Sequence, residues 1–250
     1  MNLNFEHTES EWKGFRRIDF LFEGREAILI FPEEGTANGK WVMKTEYFGA
    51  FEATELAFVK AGYHRAFIKN RSRWGAPEDP DVRARFTDFI STTFSLSPRF
   101  VAIGMSCGGL QAINFAGKYP DKVSLLYLDA PVLNLLSCPM GFGIGDDNTR
   151  WWRSELAPAY GMTSISELIC YRDHPMDKLP VLVANRIPVA MVYGDVDTTV
   201  PYVENGKLLE DAYREAGIDL FLRCKPGCNH HPHGLEELDE LLEYVEKNAL

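Results

Sequence analysis

The segment AIGMSCGGLQ, residues 102–111, places a serine and a cysteine side by side between glycines, and either side chain could act as a nucleophile. Its glycine spacing fits neither the dinucleotide-binding fingerprint nor the P-loop. Gly104, Ser106 and Gly108 instead match the pattern G-x-S-x-G, in which a serine sits on a sharp turn between a strand and a helix, called the nucleophile elbow. The pattern favours Ser106 as the nucleophile and predicts that Cys107 contributes its backbone N–H to an oxyanion hole.

A serine hydroxyl needs a base to accept its proton, and the base needs an acid to orient it. Two downstream segments offer these groups, GDVDTTVP (194–201) and CNHHPHGL (228–235), each after a strand-like run. The order serine, acid, histidine along the chain is typical of hydrolases built on an open α/β sheet. The residues alone leave Asp197, Asp195 and Asp129 open as the acid. They also leave open His230, His231 and His233 as the base.

A zinc site is an alternative use of the same region, since Cys224, Cys228 and three histidines fall within ten residues. The spacing C-x₃-C followed at once by HHPH lacks the separation between ligand pairs that structural zinc sites show. The sequence therefore predicts no metal, and a serine mechanism needs no cofactor.

Short apolar runs alternate with longer amphipathic segments along the chain. The strand-like runs lie at 15–22, 26–31, 64–68, 99–104, 123–128, 187–193 and 218–223. The helix-like stretches lie at about 46–61, 80–96, 107–118, 201–216 and 235–248. The first two strands predict a hairpin around Glu23 and Gly24, and the later alternation predicts a mostly parallel sheet with helices on both faces. We expect one α/β domain over residues 1–250, with a lid insertion at about 132–186.

Over essentially its whole length the chain resembles the α/β-hydrolase superfamily, and within it a bacterial esterase-like group with a GMSxGG elbow and an HHPH base loop. The matching pieces are GMSCGG (104–109), LDAPV (128–132), GDVDTTVP (194–201) and CNHHPHGL (228–235). The resemblance implies an α/β-hydrolase fold with Ser106 as nucleophile, Asp197 as acid and His230 as base. The chain departs from that group at Cys107, where the group carries arginine, and at Asn229, where glycine usually precedes the histidine.

A second oxyanion donor is expected from the loop PEEGTANGKW, which follows the strand-like run ending at Phe31. Pro32 has no N–H, so Glu33 is the predicted donor, with Gly39 to Trp41 as the alternative. For substrate binding the sequence predicts Trp151, Trp152 and Arg71, because aromatic rings can stack on a sugar or an aryl group and arginine can hold a carboxylate. The alternative is that the tryptophans pack the lid onto the body and the arginine is solvated.

The amino-acid composition excludes several classes of protein. The 250 residues are 46% hydrophobic and carry a net charge of −10, which argues against nucleic-acid or anionic-membrane partners. Five scattered cysteines do not form a disulfide framework, and neither a signal peptide nor a membrane-spanning run is evident. We expect a cytoplasmic protein, although a secreted chain with its signal peptide removed would look the same. The oligomeric state is not predicted.

The expected partner is a small-molecule ester, cleaved through an acyl-serine intermediate, with an acylated carbohydrate as one candidate substrate. A peptidase, a thioesterase or a C–C bond hydrolase would use the same triad. A non-catalytic ligand-binding protein with the same fold is the alternative of a different class.

Overall fold

A mixed sheet of nine strands forms the centre of the protein in the computed structural model, which describes residues 3–249. In chain order the strands are β1 (His7–Trp12), β2 (Phe15–Phe22), β3 (Arg25–Ile30), β4 (Trp41–Lys44), β5 (His64–Ile68), β6 (Phe100–Met105), β7 (Val123–Asp129), β8 (Val189–Gly194) and β9 (Phe221–Lys225). Their order across the sheet is β1-β2-β3-β5-β4-β6-β7-β8-β9. β1, β2, β3 and β5 pair antiparallel, and the neighbours from β5 to β9 are parallel.

The sheet is buried on both faces, so its central strands are continuous apolar runs. Every residue of β6 and β7 is buried. The major helices are α1 (Ala53–Lys60), α2 (Asp79–Phe94), α3 (Cys107–Lys118), α8 (Gly206–Glu215) and α9 (Asp239–Asn248). α2, α3 and α8 pack against one face, while α1 and α9 cover the other. The predicted parallel sheet with helices on both faces is confirmed.

The segment between β7 and β8 is made of short helical pieces. They are α4 (Thr149–Trp151), a π-helical turn (Trp152–Leu156), α5 (Ala157–Tyr160), α6 (Ile165–Cys170), a 3₁₀ turn (Pro175–Lys178) and α7 (Leu179–Ala184). α7 packs on α3 and α8, so the end of the predicted insertion belongs to the helical layer of the body. The earlier pieces pack over Trp74, Cys107 and Leu110 near the elbow. A lid function for this segment stays a prediction.

Two strands were not predicted from the sequence. The hairpin at Glu23 and Gly24 is confirmed as β2–β3, but β1 is polar and mostly exposed and gave no apolar signal. β4 has only four residues: the first, Trp41, was interpreted as the end of the loop PEEGTANGKW, and residues 42–44 were assigned to no element. This strand is nevertheless fully buried between β5 and β6. Because β4 was not predicted, the loop that follows it was not considered as part of the site, although this loop contacts the elbow.

No helix in the described part of the chain is long and apolar enough to cross a membrane.

His64, at the start of β5, makes the stability of the protein depend on pH. The residue is 7% exposed, its Nδ1 atom has no hydrogen-bond partner among residues 3–249, and burial lowers the pKa of the imidazole from 6.5 to about 4. The folded protein therefore binds this proton more weakly than the unfolded chain does. The contribution of neutral His64 is complete above pH 6.5 and is lost as the pH falls towards 4.

We expect the wild-type protein to lose about 1 to 2 kcal/mol more unfolding free energy between pH 7 and pH 5 than the variant His64→Gln does. Urea denaturation of both proteins at the two pH values measures this difference. All other titrating groups are shared, so equal losses in the two proteins would show that His64 is not the source.

Candidate active site

Ser106 occupies the turn between β6 and α3, in a strained backbone conformation. Its φ of 54° and ψ of −120° are uncommon for a residue with a side chain. The turn is held because the Ser106 N–H donates to the Asp129 carbonyl at 2.9 Å and the Val132 N–H donates to the Ser106 carbonyl at 3.1 Å. The strain presents the hydroxyl beyond the end of the sheet, as the G-x-S-x-G pattern predicts.

Glycines on both sides of Ser106 are required by close backbone contacts. A Cβ atom at Gly104 would lie 2.6 Å from the Gly108 carbonyl oxygen, and one at Gly109 would lie 2.4 Å from Cβ of Pro131. At Gly108 the nearest atoms are farther away, at 3.3 Å. Gly109, which lies outside the G-x-S-x-G pattern, is therefore more constrained than Gly108.

The structure brings Ser106, His230 and Asp197 together in one hydrogen-bonded chain. His230 Nε2 lies 3.0 Å from Ser106 Oγ, and His230 Nδ1 lies 2.7 Å from Asp197 Oδ2. Because a carboxylate only accepts, Nδ1 carries the proton and Nε2 is left to accept from the serine. His230 and Asp197 are 8% and 7% exposed, so bulk water competes little for either contact. This arrangement can deprotonate the serine during attack on a carbonyl carbon.

The loop after β8 distinguishes the two aspartates of the sequence GDVD. Asp197 Oδ1 accepts from the N–H groups of Thr199 and Val200, at 2.9 and 2.8 Å. Asp195 instead accepts from the Gly227 N–H at 2.6 Å. Asp197 is thus the aspartate at hydrogen-bond distance from His230, and Asp195 fastens the loop after β9.

The third candidate acid, Asp129, anchors the loop that carries His230 through hydrogen bonds to two later residues of that loop. Its carboxylate oxygens accept from His233 Nδ1 at 2.8 Å and from the Gly234 N–H at 2.5 Å. Asn229 makes a second link, because its side-chain oxygen accepts from the N–H groups of Thr198 and His230, at 3.1 and 2.7 Å. The sequence identified Asn229 only as a departure from related chains. In the structure it ties the loop that carries the acid to the loop that carries the base.

Ser106 opens onto an apolar cleft of about 320 Å³. Aromatic rings form much of its wall, and the lining residues include Tyr47, Phe51, Trp74 and Trp151. Cys107 also lines this space, but it is almost fully buried, and burial raises the pKa of its thiol to about 11. The thiol is therefore protonated at neutral pH, which agrees with the prediction that Cys107 is not the nucleophile.

Arg73 is the one positively charged side chain lining the cleft, among the residues that the structure describes. Its guanidinium forms a two-pronged ion pair with Glu155, with Nη2 to Oε1 at 2.8 Å, and lies 5.0 Å from the centroid of the Trp151 ring. Trp74 Nε1 donates to the same carboxylate at 3.1 Å. The charge of Arg73 is thus compensated, and the pair joins the loop after β5 to the π-helical turn of the segment between β7 and β8.

The prediction that Glu33 supplies an oxyanion donor is wrong. β3 runs antiparallel to β5, so its last residue, Ile30, pairs with Arg65 near the start of β5. Glu33 is exposed and lies in a separate groove with Phe31 and His64. It is therefore at the opposite end of the sheet from Ser106. The alternative, Gly39 to Trp41, also precedes or begins β4 and lies at that same end.

The loop that does reach the elbow follows β4. Thr45 Oγ1 donates to the carbonyls of Ile103 and Gly108, at 3.0 and 2.7 Å. Tyr47, two residues further along, lines the cleft. The loop after Lys44 therefore lies beside the elbow, where the sequence had predicted the loop after Phe31.

Two of the three predicted substrate-binding residues lie away from the cleft. Trp152 is 5% exposed and packs in an apolar cluster with Leu110 and Leu156. Arg71 is exposed and pairs with Glu78 at 2.7 Å. Trp151 does line the cleft. The alternative that a tryptophan packs the insertion onto the body therefore holds for Trp152.

Solved structures of several hydrolases share this architecture. The chain is similar to a truncated carbohydrate esterase from gut microbiota, with a TM-score of 0.68 and 16% identity over 92% of this chain and 93% of that one. It is also similar to an S-formylglutathione hydrolase from Agrobacterium tumefaciens, with a TM-score of 0.66 and 14% identity over 97% and 99% of the two chains. An acylaminoacyl peptidase from Pyrococcus horikoshii matches with a TM-score of 0.68 and 14% identity over 94% of this chain. The protein has the α/β-hydrolase fold, as predicted.

No family model matches the sequence. The chain spans 36–41% of the length of four of the larger peptidases to which it is similar. At identities of 14–16% the likeness establishes the fold, and the activities named for those proteins remain theirs.

Proposed function

We propose that this protein is a serine hydrolase that cleaves carboxylic esters through an acyl-serine intermediate. The observation that carries the proposal is the buried chain from Ser106 through His230 to Asp197, with contacts of 3.0 and 2.7 Å, at the wall of an apolar cleft. A strained serine with a hydrogen-bonded histidine and carboxylate is the arrangement that activates a hydroxyl for acyl transfer.

The reaction proceeds in two stages. Ser106 Oγ attacks the ester carbonyl carbon while His230 Nε2 takes its proton, and Asp197 stabilises the imidazolium. His230 then gives that proton to the departing alkoxide, so that an alcohol leaves and an ester bond to Ser106 remains. A water molecule, deprotonated by His230, attacks this acyl-serine, and the proton returns to Ser106 Oγ as the acid departs.

The backbone N–H groups of Cys107 and Tyr47 are the proposed oxyanion hole. Cys107 begins α3, where the first N–H groups lack partners within the helix and the helix dipole favours negative charge. Tyr47 lies on the loop that Thr45 fastens to the elbow, and its N–H, which donates to Glu46 Oε1 at 3.3 Å in the structure, exchanges that acceptor for the oxyanion. Each such donor lowers the barrier by about 3 kcal/mol.

The walls of the cleft favour an uncharged ester. Among its described lining residues none is a carboxylate, so a free amino terminus would find no counter-charge there. Arg73 is already paired with Glu155, which lowers its value as a partner for a substrate carboxylate. The rings of Trp151 and Phe51 suit an aryl group or the apolar face of a sugar, while Trp74 is fully buried behind the wall. The likeness to a carbohydrate esterase supports an acylated carbohydrate as the first candidate.

A fluorophosphonate probe tests the proposed nucleophile. We expect one covalent adduct per chain, located at Ser106 by peptide mapping, and no adduct in Ser106→Ala. A probe that labels another residue, or labels the wild-type protein no faster than Ser106→Ala, would remove the basis of the proposal and favour a ligand-binding protein with the same fold.

A substrate panel then separates the ester classes. We expect acetylated sugars, feruloyl esters and other neutral esters to be hydrolysed faster than esters that carry a free carboxylate or ammonium group. Faster turnover of an aminoacyl amide or of a thioester than of every neutral ester would favour a peptidase or a thioesterase instead.

A further inference from the structure

The loop after β9 gathers three imidazoles at the cleft, those of His230, His231 and His233. Their ring centroids lie 4.9, 4.8 and 4.9 Å apart, and the rings are inclined to one another by 63°, 81° and 89°. One ring nitrogen of each histidine lies within 4.8 Å of those of the other two. In a tetrahedral site with Zn–N bonds of about 2 Å, three imidazole centroids are about 5 Å apart. The ring centroids therefore have the spacing of a tris-histidine metal site, and the donor nitrogens, which lie within 4.8 Å of one another, must approach to about 3.3 Å to hold one ion.

Buried carboxylates hold two of these rings in the orientation that metal-binding histidines show. His230 Nδ1 is bonded to Asp197 and His233 Nδ1 to Asp129, at 2.7 and 2.8 Å. In each ring this leaves Nε2 as the nitrogen whose lone pair can bind an ion, although in His230 that lone pair accepts the hydrogen bond from Ser106 Oγ. A carboxylate behind the ring is the usual outer shell of a histidine that binds a metal, because it fixes the ring and increases its basicity.

The third ring is held by stacking rather than by a hydrogen bond. His231 lies 5.5 Å from the Phe51 ring at an interplanar angle of 12°. The nearby cysteines do not belong to this set, since Cys228 Sγ contacts the His231 carbonyl oxygen, at 3.5 Å, and Cys224 lies on β9. Three neutral imidazoles with one open position suit Zn²⁺ better than hard cations such as Mg²⁺ or Ca²⁺.

We propose that His230, His231 and His233 bind one Zn²⁺ ion and that the bound ion reversibly inhibits the enzyme. The ion takes the Nε2 lone pair of His230, which otherwise accepts the hydrogen bond from Ser106 Oγ. No covalent bond is made or broken in the protein, and a chelator restores the base. The inhibition rests on the proposed function, whereas binding of the ion does not.

Calorimetric titration of the full chain with ZnCl₂ tests binding without reference to activity. We expect one ion per chain, an affinity at least tenfold weaker in His231→Ala, and unchanged affinity in Cys228→Ser and in the distant control His7→Ala. His231 is the best position to change, because its ring makes no hydrogen bond to any side chain or backbone group that the structure describes. Binding that is lost in Cys228→Ser but kept in His231→Ala, or the absence of binding, overturns the site.

Labelling of Ser106 by the fluorophosphonate probe tests the inhibition. We expect saturating Zn²⁺ to slow labelling of the wild-type protein at least tenfold, and EDTA to restore the rate. His231→Ala should need at least tenfold more Zn²⁺ for the same effect. Labelling that is unchanged or faster with zinc bound overturns the inhibitory role. A chain that binds zinc through His231 but is never labelled at Ser106 would refute the proposed function and leave the metal site standing.

Discussion

Replacement of Ser106 by alanine is expected to lower kcat/KM for a neutral ester by a factor of about 10⁴ or more. The variant keeps the oxyanion donors and the cleft but has no oxygen that can form the acyl intermediate. The small side chain also relieves the strained turn little, because the positive φ remains. Initial-rate kinetics with a chromogenic acetate ester measure the loss, and thermal unfolding shows whether the variant is folded.

Cys107→Ala is the matched control for that experiment. Its thiol is buried and protonated, and the proposed role of residue 107 uses the backbone N–H, which alanine retains. We expect Cys107→Ala to stay within about tenfold of the wild-type rate, since only a small buried side chain is trimmed. A loss in Cys107→Ala comparable to that in Ser106→Ala would contradict the assignment of the nucleophile.

Asp197→Asn is expected to lower kcat by a factor of about 10³ to 10⁴ with little change in the overall structure. An amide at this position can donate to His230 Nδ1, which favours the tautomer with the proton on Nε2. That tautomer cannot accept the proton of Ser106, and the amide does not stabilise an imidazolium. Kinetics over pH 6 to 9, together with the rate of fluorophosphonate labelling, measure the effect.

Asp129→Asn provides the comparison, because Asp129 is equally buried and equally bonded to a histidine. The substitution disturbs the contacts to His233 and Gly234 and so weakens the anchoring of the base loop. We expect a stability loss of about 1 to 3 kcal/mol and a change in kcat of about tenfold or less. If the two variants exchanged these effects, Asp129 would be the acid that orients the base.

The sequence predicted those features that depend on local pattern. β6 and β7 are continuous apolar runs, which is the signature of strands buried on both faces, and the elbow is defined by residues close together along the chain. The meeting of the loops that carry residues 106, 197 and 230 was predictable because parallel strands bring their carboxyl ends to one edge of the sheet. The choice of Asp197 and His230 among their neighbours came from the resemblance to known hydrolases.

The failures came from features that local pattern does not encode. Four residues are too few to show a period, so β4 was missed and the loop that contacts the elbow was placed one strand too early in the chain. Trp151 and Trp152 are adjacent and identical in type, yet one lines the cleft and the other packs beneath it. Only the helical turn that carries them decides which ring faces the cleft.

The links between the two loops that carry Asp197 and His230 have a consequence for motion. β9 is the last strand of the sheet and pairs only with β8, and edge strands are the parts of a sheet most prone to fray. His230 follows this edge strand, but Asn229 and Asp195 fasten its loop to the loop after β8. These hydrogen bonds restrain the distance between acid and base when the edge of the sheet fluctuates.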